Sequence, residues 1–172
     1  MSESASVTPP TAADLLLLYD RALPDVYSYL LARCRSVPVA EDLASETFLA
    51  AVASLDAGRV PSLSVAWLIG VARHKLSDHW RRLAREEAKL ALAGGESEID
   101  DPWDEHLDGA RARATLDQLG PHHRGALILR YVDGLPVREV ADHLDRTEHA
   151  TEALLVRARR AFRQAYEEGG GR

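Results

Sequence analysis

The chain has 172 residues, 46% of them hydrophobic but only 6% aromatic, a single cysteine and a formal net charge of −6. That size admits one ordinary domain or two small ones built of Ala/Leu-rich helices, and strand signals are nearly absent, so an all-α fold is expected. Cys34 alone excludes an internal disulfide framework and any zinc site made of cysteines, and a reducing compartment is the default; the thiol is expected to be a small buried apolar group. No apolar run approaches membrane-spanning length, and the first ten residues lack the basic start and apolar core of an export signal, so a soluble, cytoplasmic protein is expected.

Residues 1–11 are rich in Ser, Thr and Pro and are expected to be disordered. From 12 to about 35, Leu15, Leu16, Leu18, Tyr19, Leu23, Val26, Tyr27, Leu30 and Leu31 recur at helical spacing, with Pro24 marking a kink or a second start. A helix over 38–55 would turn Ala44, Phe48, Ala51, Val52 and Leu55 inward and Asp42, Ser45, Glu46 and Leu49 outward. An outward leucine among carboxylates points to a partner-docking face, against the plainer alternative of a solvated acidic face. Glu41, Asp42 and Glu46 have no histidine at ligand spacing within the helix, which argues against a metal site.

Residues 56–62 form a loop by their Gly and Pro, and a long helix is expected from about 63 to 83. One arc of it holds Val65, Leu68, Ile69, Ala72, Leu76 and Leu83; the opposite arc carries Trp67, Arg73, His74, Ser77, Asp78 and Arg81. Arginine, imidazole and an aromatic ring on one exposed arc suit phosphates and unstacked bases, the alternative being a solvated face with Trp67 or Trp80 at the core edge. Between Arg85 and Asp108 nine acids face two bases, a local −7 that leaves the rest of the chain at +1, and Gly94-Gly95 and Asp101-Pro102 break structure there: this is a linker. Beyond it, short helices are expected over 110–119 and 122–132, His122 and His123 belonging to a helix start.

Residues 135–164 pattern as two helices joined by a tight turn. The first runs from about Pro136 to His143; the second starts at Thr147, a capping hydroxyl, and stacks Ala150, Thr151, Leu154, Ala158 and Ala161 on one stripe. His149, Glu152, Ala153, Val156, Arg157 and Arg160 fall outside it, and the last turns collect Arg157, Arg159, Arg160 and Arg163 without an intervening acid, which suits a duplex groove flanked by phosphates, against the plainer alternative of a bundle hairpin whose solvated arginines complement the helix dipole. The turn, Leu144-Asp145-Arg146, has no glycine, so Asp145 must take the left-handed conformation itself.

Together AEDLASETFLAA (40–51), AWLIGVARHKLSDHWRR (66–82) and the stretch from LDQLGPHHRGALILRYVDGLPVREVADHL into TEALLVRARRAF (116–162) closely resemble the extracytoplasmic function (ECF) sigma factors, two-domain promoter-recognition subunits of bacterial RNA polymerase. The resemblance implies a sigma region two domain over 12–85, an acidic linker over 86–108 threading toward the RNA exit path, a region four domain over 109–168 and a flexible tail over 169–172. It implies that Asp42, Leu43, Glu46, Thr47 and Phe48 bind the β′ clamp helices of core polymerase. Trp67, Arg73, His74, Ser77, Asp78, Arg81 and Arg82 would melt and read the −10 element, with the 56–62 loop capturing a flipped base. Arg146, Thr147, Glu148, His149, Glu152, Arg157 and Arg160 would meet the −35 element, this domain resting near the β flap. No cofactor, metal or catalytic group is implied, and an anti-sigma partner is. His74 stands where the family often has asparagine, Ser45 for a frequent glutamine, Asp145 for a usual glycine and Thr151 for an often aliphatic residue. Two other readings stay open: a helix-turn-helix regulator acting without polymerase, and a helical enzyme built on His74, Asp78 and the carboxylates near Glu41.

Overall fold

The computed structural model describes residues 9–90 and 108–169, and all regular structure among them is helical. The helices are α1 (Ala12–Cys34), α2 (Val37–Asp56), α3 (Val65–Leu90), α4 (Gly109–Gln118), α5 (Pro121–Leu127) running directly into a π turn (Ile128–Val132), α6 (Val137–Leu144) and α7 (Glu148–Glu168). The chain divides into two compact units, residues 1–76 and 77–172, with the division inside α3. The helix expected to end near residue 83 continues through the first acids of the expected linker to Leu90. Most of that linker, with residues 1–8 and 170–172, lies outside the described residues.

In the first unit, α1 opens on a reciprocal capping box: Thr11 Oγ1 accepts from the Asp14 amide, and the Asp14 carboxylate accepts from the Thr11 amide at 2.8 Å. Those hydrogen bonds, the backbone one first, hold the Asp14 carboxyl below its ordinary pKa. Pro24 neither kinks α1 into two nor ends it. It lies on the exposed side, where water can satisfy the carbonyl that a proline ring leaves without a donor. Leu15, Ala22, Val26 and Leu30 of α1 are buried, as are Ala40, Leu43, Ala44, Thr47, Phe48, Ala51 and Leu55 of α2 and Leu68, Ala72 and Leu76 of α3. The buried arc of α2 is wider than periodicity predicts because α2 has two neighbours. Tyr19 of α1 packs on Phe48 at 4.8 Å between ring centroids, and Lys75 of α3 approaches Glu46 at 3.9 Å. Val52, expected inward, is exposed, and so are Leu16 and Leu17 of α1, at 74% and 85%.

In the second unit, α7 is the element on which α4, α5 and α6 all pack. Its Ala158 and Phe162 meet Leu127 of α5, with Leu116, Leu119 and Tyr166 closing around them. Phe162 and Tyr166 stack at 5.7 Å, and the Arg111 guanidinium lies 3.9 Å over the Tyr166 ring. The same unit includes the last turns of α3, whose Trp80 and Ala84 are buried. Phe162→Ala should therefore destabilise this unit by about 3–5 kcal/mol, the usual cost of emptying a buried phenyl site, read as a lower urea midpoint at unchanged slope.

Candidate nucleic-acid interface

The helix-turn-helix is set by its turn. Asp145 adopts the left-handed conformation (φ 54°, ψ 52°), and the Arg146 amide reaches back to the Ala141 carbonyl at 3.0 Å, a closure that satisfies the carbonyls at the end of α6. Thr147 Oγ1 then accepts from the Ala150 amide at 3.1 Å and caps α7. Thr151 is fully buried, yet its hydroxyl costs little, because it donates to the Thr147 carbonyl at 2.9 Å. That explains how a threonine can stand on this buried stripe.

Beyond the turn, Arg146, Thr147, Glu148, His149, Glu152 and Arg160 are exposed, and Arg157 is half-buried. Arg159 is engaged with the Tyr131 hydroxyl at 3.2 Å. All seven residues expected at the −35 element thus share the turn and first four turns of α7, with Glu152, Val156 and Arg160 at four-residue steps along the accessible side. At the start of α5, His122 and His123 are held below the ordinary histidine pKa, chiefly by burial; His122 also feels Arg146 and His123, and His123 also feels Arg157.

The residues expected at the −10 element divide. In α3, Ser64 caps the first turn, its hydroxyl accepting from the Trp67 amide at 3.1 Å. His74, Asp78 and Arg82 are exposed and Trp67, Arg73 and Arg81 half-buried, with Arg81 paired to Asp78. Ser77, expected on the exposed arc, is 1% exposed: its hydroxyl lies 3.4 Å from His143 Nδ1. The loop after α2 is pinned by buried Val60 and turns through Gly58 at φ +63°. Between it and the start of α1 lies a groove of about 610 Å³ lined by Pro10, Thr11, Asp14, Leu17, Pro61 and Ser62, among others.

The five residues expected to meet polymerase also divide. Asp42 and Glu46 are exposed, whereas Leu43, Thr47 and Phe48 are buried, Thr47 donating its hydroxyl to the Leu43 carbonyl at 2.7 Å. The outward side of α2 is therefore Asp42, Ser45, Glu46 and 70%-exposed Leu49. Beside it an apolar groove of about 750 Å³ runs between α1 and α2, bordered by Leu16, Tyr19, Leu23, Leu49 and Val52. Sequence reasoning missed the α1 half of this surface, because a leucine-rich helix near a chain start patterns as core.

These features define an all-helical protein of two units whose second ends in a helix-turn-helix. No helix among the described residues is long and apolar enough to cross a membrane. Residues 18–86 match the family described as Sigma-70 region 2, and residues 110–162 match Sigma-70, region 4. The chain is 32% identical over 154 residues to the ECF RNA polymerase sigma factor BldN of Streptomyces coelicolor, covering 84% of this chain but 57% of that relative. It is 27% identical to the ECF RNA polymerase sigma factor SigM of Bacillus subtilis, covering 88% and 94% of the two chains. The fold is shared with the sigma factor RpoE of Bartonella quintana, solved with the anti-sigma factor NepR, at a TM-score of 0.53 and 22% identity over 93% of this chain and 97% of that one. The chain belongs to the sigma-70 family of transcription initiation factors, in its ECF branch.

The two histidines supply a pH test. Because their native pKa values are depressed, the unfolded chain binds more protons below its own histidine pKa of about 6.5, so stability is complete above that value and falls as pH drops toward the native pKa. Urea midpoints of the second unit should fall between about pH 7 and pH 5, and His122→Gln with His123→Gln should flatten that dependence.

Proposed function

We propose that this chain joins core RNA polymerase and gives it promoter specificity, contributing binding and strand separation but no catalysis of its own. The observation that carries the reading is the pair of sigma-70 matches in family order, the second falling on the helix-turn-helix. Polymerase docks on the outward side of α2, where Asp42, Ser45 and Glu46 surround Leu49: a desolvated leucine supplies affinity and the carboxylates steer a basic partner helix. The buried Leu43, Thr47 and Phe48 hold that side in place rather than touching the partner. Duplex DNA of the −35 element meets α7, with His149 and Glu152 at base edges and Arg157 and Arg160 at phosphates. The −10 strand follows Arg73, His74, Asp78, Arg81 and Arg82 along α3, and the groove beside Pro61 and Ser62 takes a flipped base. An anti-sigma factor holds the protein inactive; the RpoE neighbour solved with NepR supports that part.

Run-off transcription with core enzyme tests the whole: the purified protein should join core and initiate from a promoter, and failure of both would end the reading. Reversing Asp42 and Glu46 to lysine should abolish core binding while leaving duplex binding unchanged; intact transcription would remove the α2 face from the interface. Arg157→Ala or Arg160→Ala should weaken promoter binding and lower the slope of log affinity against log salt by about 0.9 for each phosphate no longer neutralised, measured by fluorescence anisotropy across salt.

A further inference from the structure

The last turns of α3 are both the stretch assigned above to the −10 strand and an integral part of the second unit. Ser77, Trp80 and Ala84 are 1%, 3% and 1% exposed, and with Glu87 they form one stripe at steps of three and four. Its Ser77 and Trp80 are seated on α6 and α5. Ser77 Oγ stands 3.4 Å from His143 Nδ1 on α6. The Trp80 ring lies against Gly125 of α5 so closely that a Cβ there would come within 2.9 Å of Cε3 and 3.2 Å of Cδ2. Any other residue at position 125 would push the ring away. At one end Arg81 Nη1 is 3.9 Å from Asp145 Oδ2 in the helix-turn-helix turn; at the other, the Glu87 carboxylate lies 3.2 Å from where a Gly120 Cβ would sit.

We propose that this seat is an autoinhibitory latch: in the free protein the −10-reading half of α3 is held by the −35-reading unit, and must leave it before Arg81 and the helix turn that carries it can follow single-stranded DNA. The proposal rests on the assignment of α3 and α7 to the two promoter elements. Its energetic core is burial of one indole on a bare glycine, since the Arg81–Asp145 pair is largely solvated and contributes little. Gly125 is the informative position. Inside a helix a glycine is disfavoured relative to alanine, so its presence is explained by the ring it admits and not by the helix it sits in.

The test uses the full chain with Trp67→Phe and Trp103→Phe, leaving Trp80 as the sole indole. Trp80 should be shielded from acrylamide, and Gly125→Ala should release it, speed amide exchange over residues 77–84 while leaving α6 and α7 protected, and tighten binding of a mixed-sequence single-stranded 20-mer about tenfold. Trp80→Ala approaches from the opposite side of the seat without altering α5 to α7, and should reproduce the exchange and DNA effects in the otherwise unchanged chain. Trp80 quenched freely in the parent overturns the proposal, as does release of α3 by either variant with no gain in single-strand binding. Failure of the chain with Trp67 and Trp103 restored to initiate with core enzyme, with Trp80 of the parent shielded, would instead count against the sigma-factor reading.

Discussion

The buried stripe of α7 is the constraint on which the DNA-reading part depends. Thr151, Leu154, Ala158 and Phe162 face α4, α5 and α6 together, so one helix both closes the hydrophobic core and fixes which of its side chains are left exposed. The stripe also explains the polar choices around it. A left-handed Asp145 and a hydroxyl cap at Thr147 angle α7 away from α6, and the Thr151 hydroxyl is buried only because the Thr147 carbonyl accepts it. Packing and the exposed residues proposed for DNA are therefore properties of opposite faces of a single element.

The first unit uses a different logic. There α2 lies between α1 and α3, which buries Leu43, Thr47 and Phe48 and leaves a narrow outward strip. A narrow strip with one leucine and several carboxylates suits an exchangeable partner, whose affinity comes from a small desolvated centre and whose rate of encounter is set by charge. Neighbouring exposed apolar residues of α1 widen what such a partner can cover.

Much of this is legible in residues alone. The steps of three and four at Thr151, Leu154 and Ala158 mark the inner face of α7, the missing glycine at 145 forces a left-handed aspartate, and Thr147 announces its cap; all are local, and local patterns survive folding. Periodicity misleads where a helix has more than one inner side. Helix α2 has two packing neighbours, so a single predicted stripe is too narrow. In α3, Ser77 lies opposite the Leu68–Ala72–Leu76 stripe, yet it is buried because its neighbour is His143, sixty-six residues away. No window of sequence contains both partners, and the match of Trp80 to Gly125 is equally invisible, since a glycine in a helix pattern advertises only its own weakness.

The exposed leucines at the start of α1 carry a consequence for the molecule's life between engagements. Leu16 and Leu17 are exposed, Leu16 at the border of the apolar groove between α1 and α2. Exposed apolar surface of that kind costs free energy while it faces water, and covering it by any companion recovers that cost.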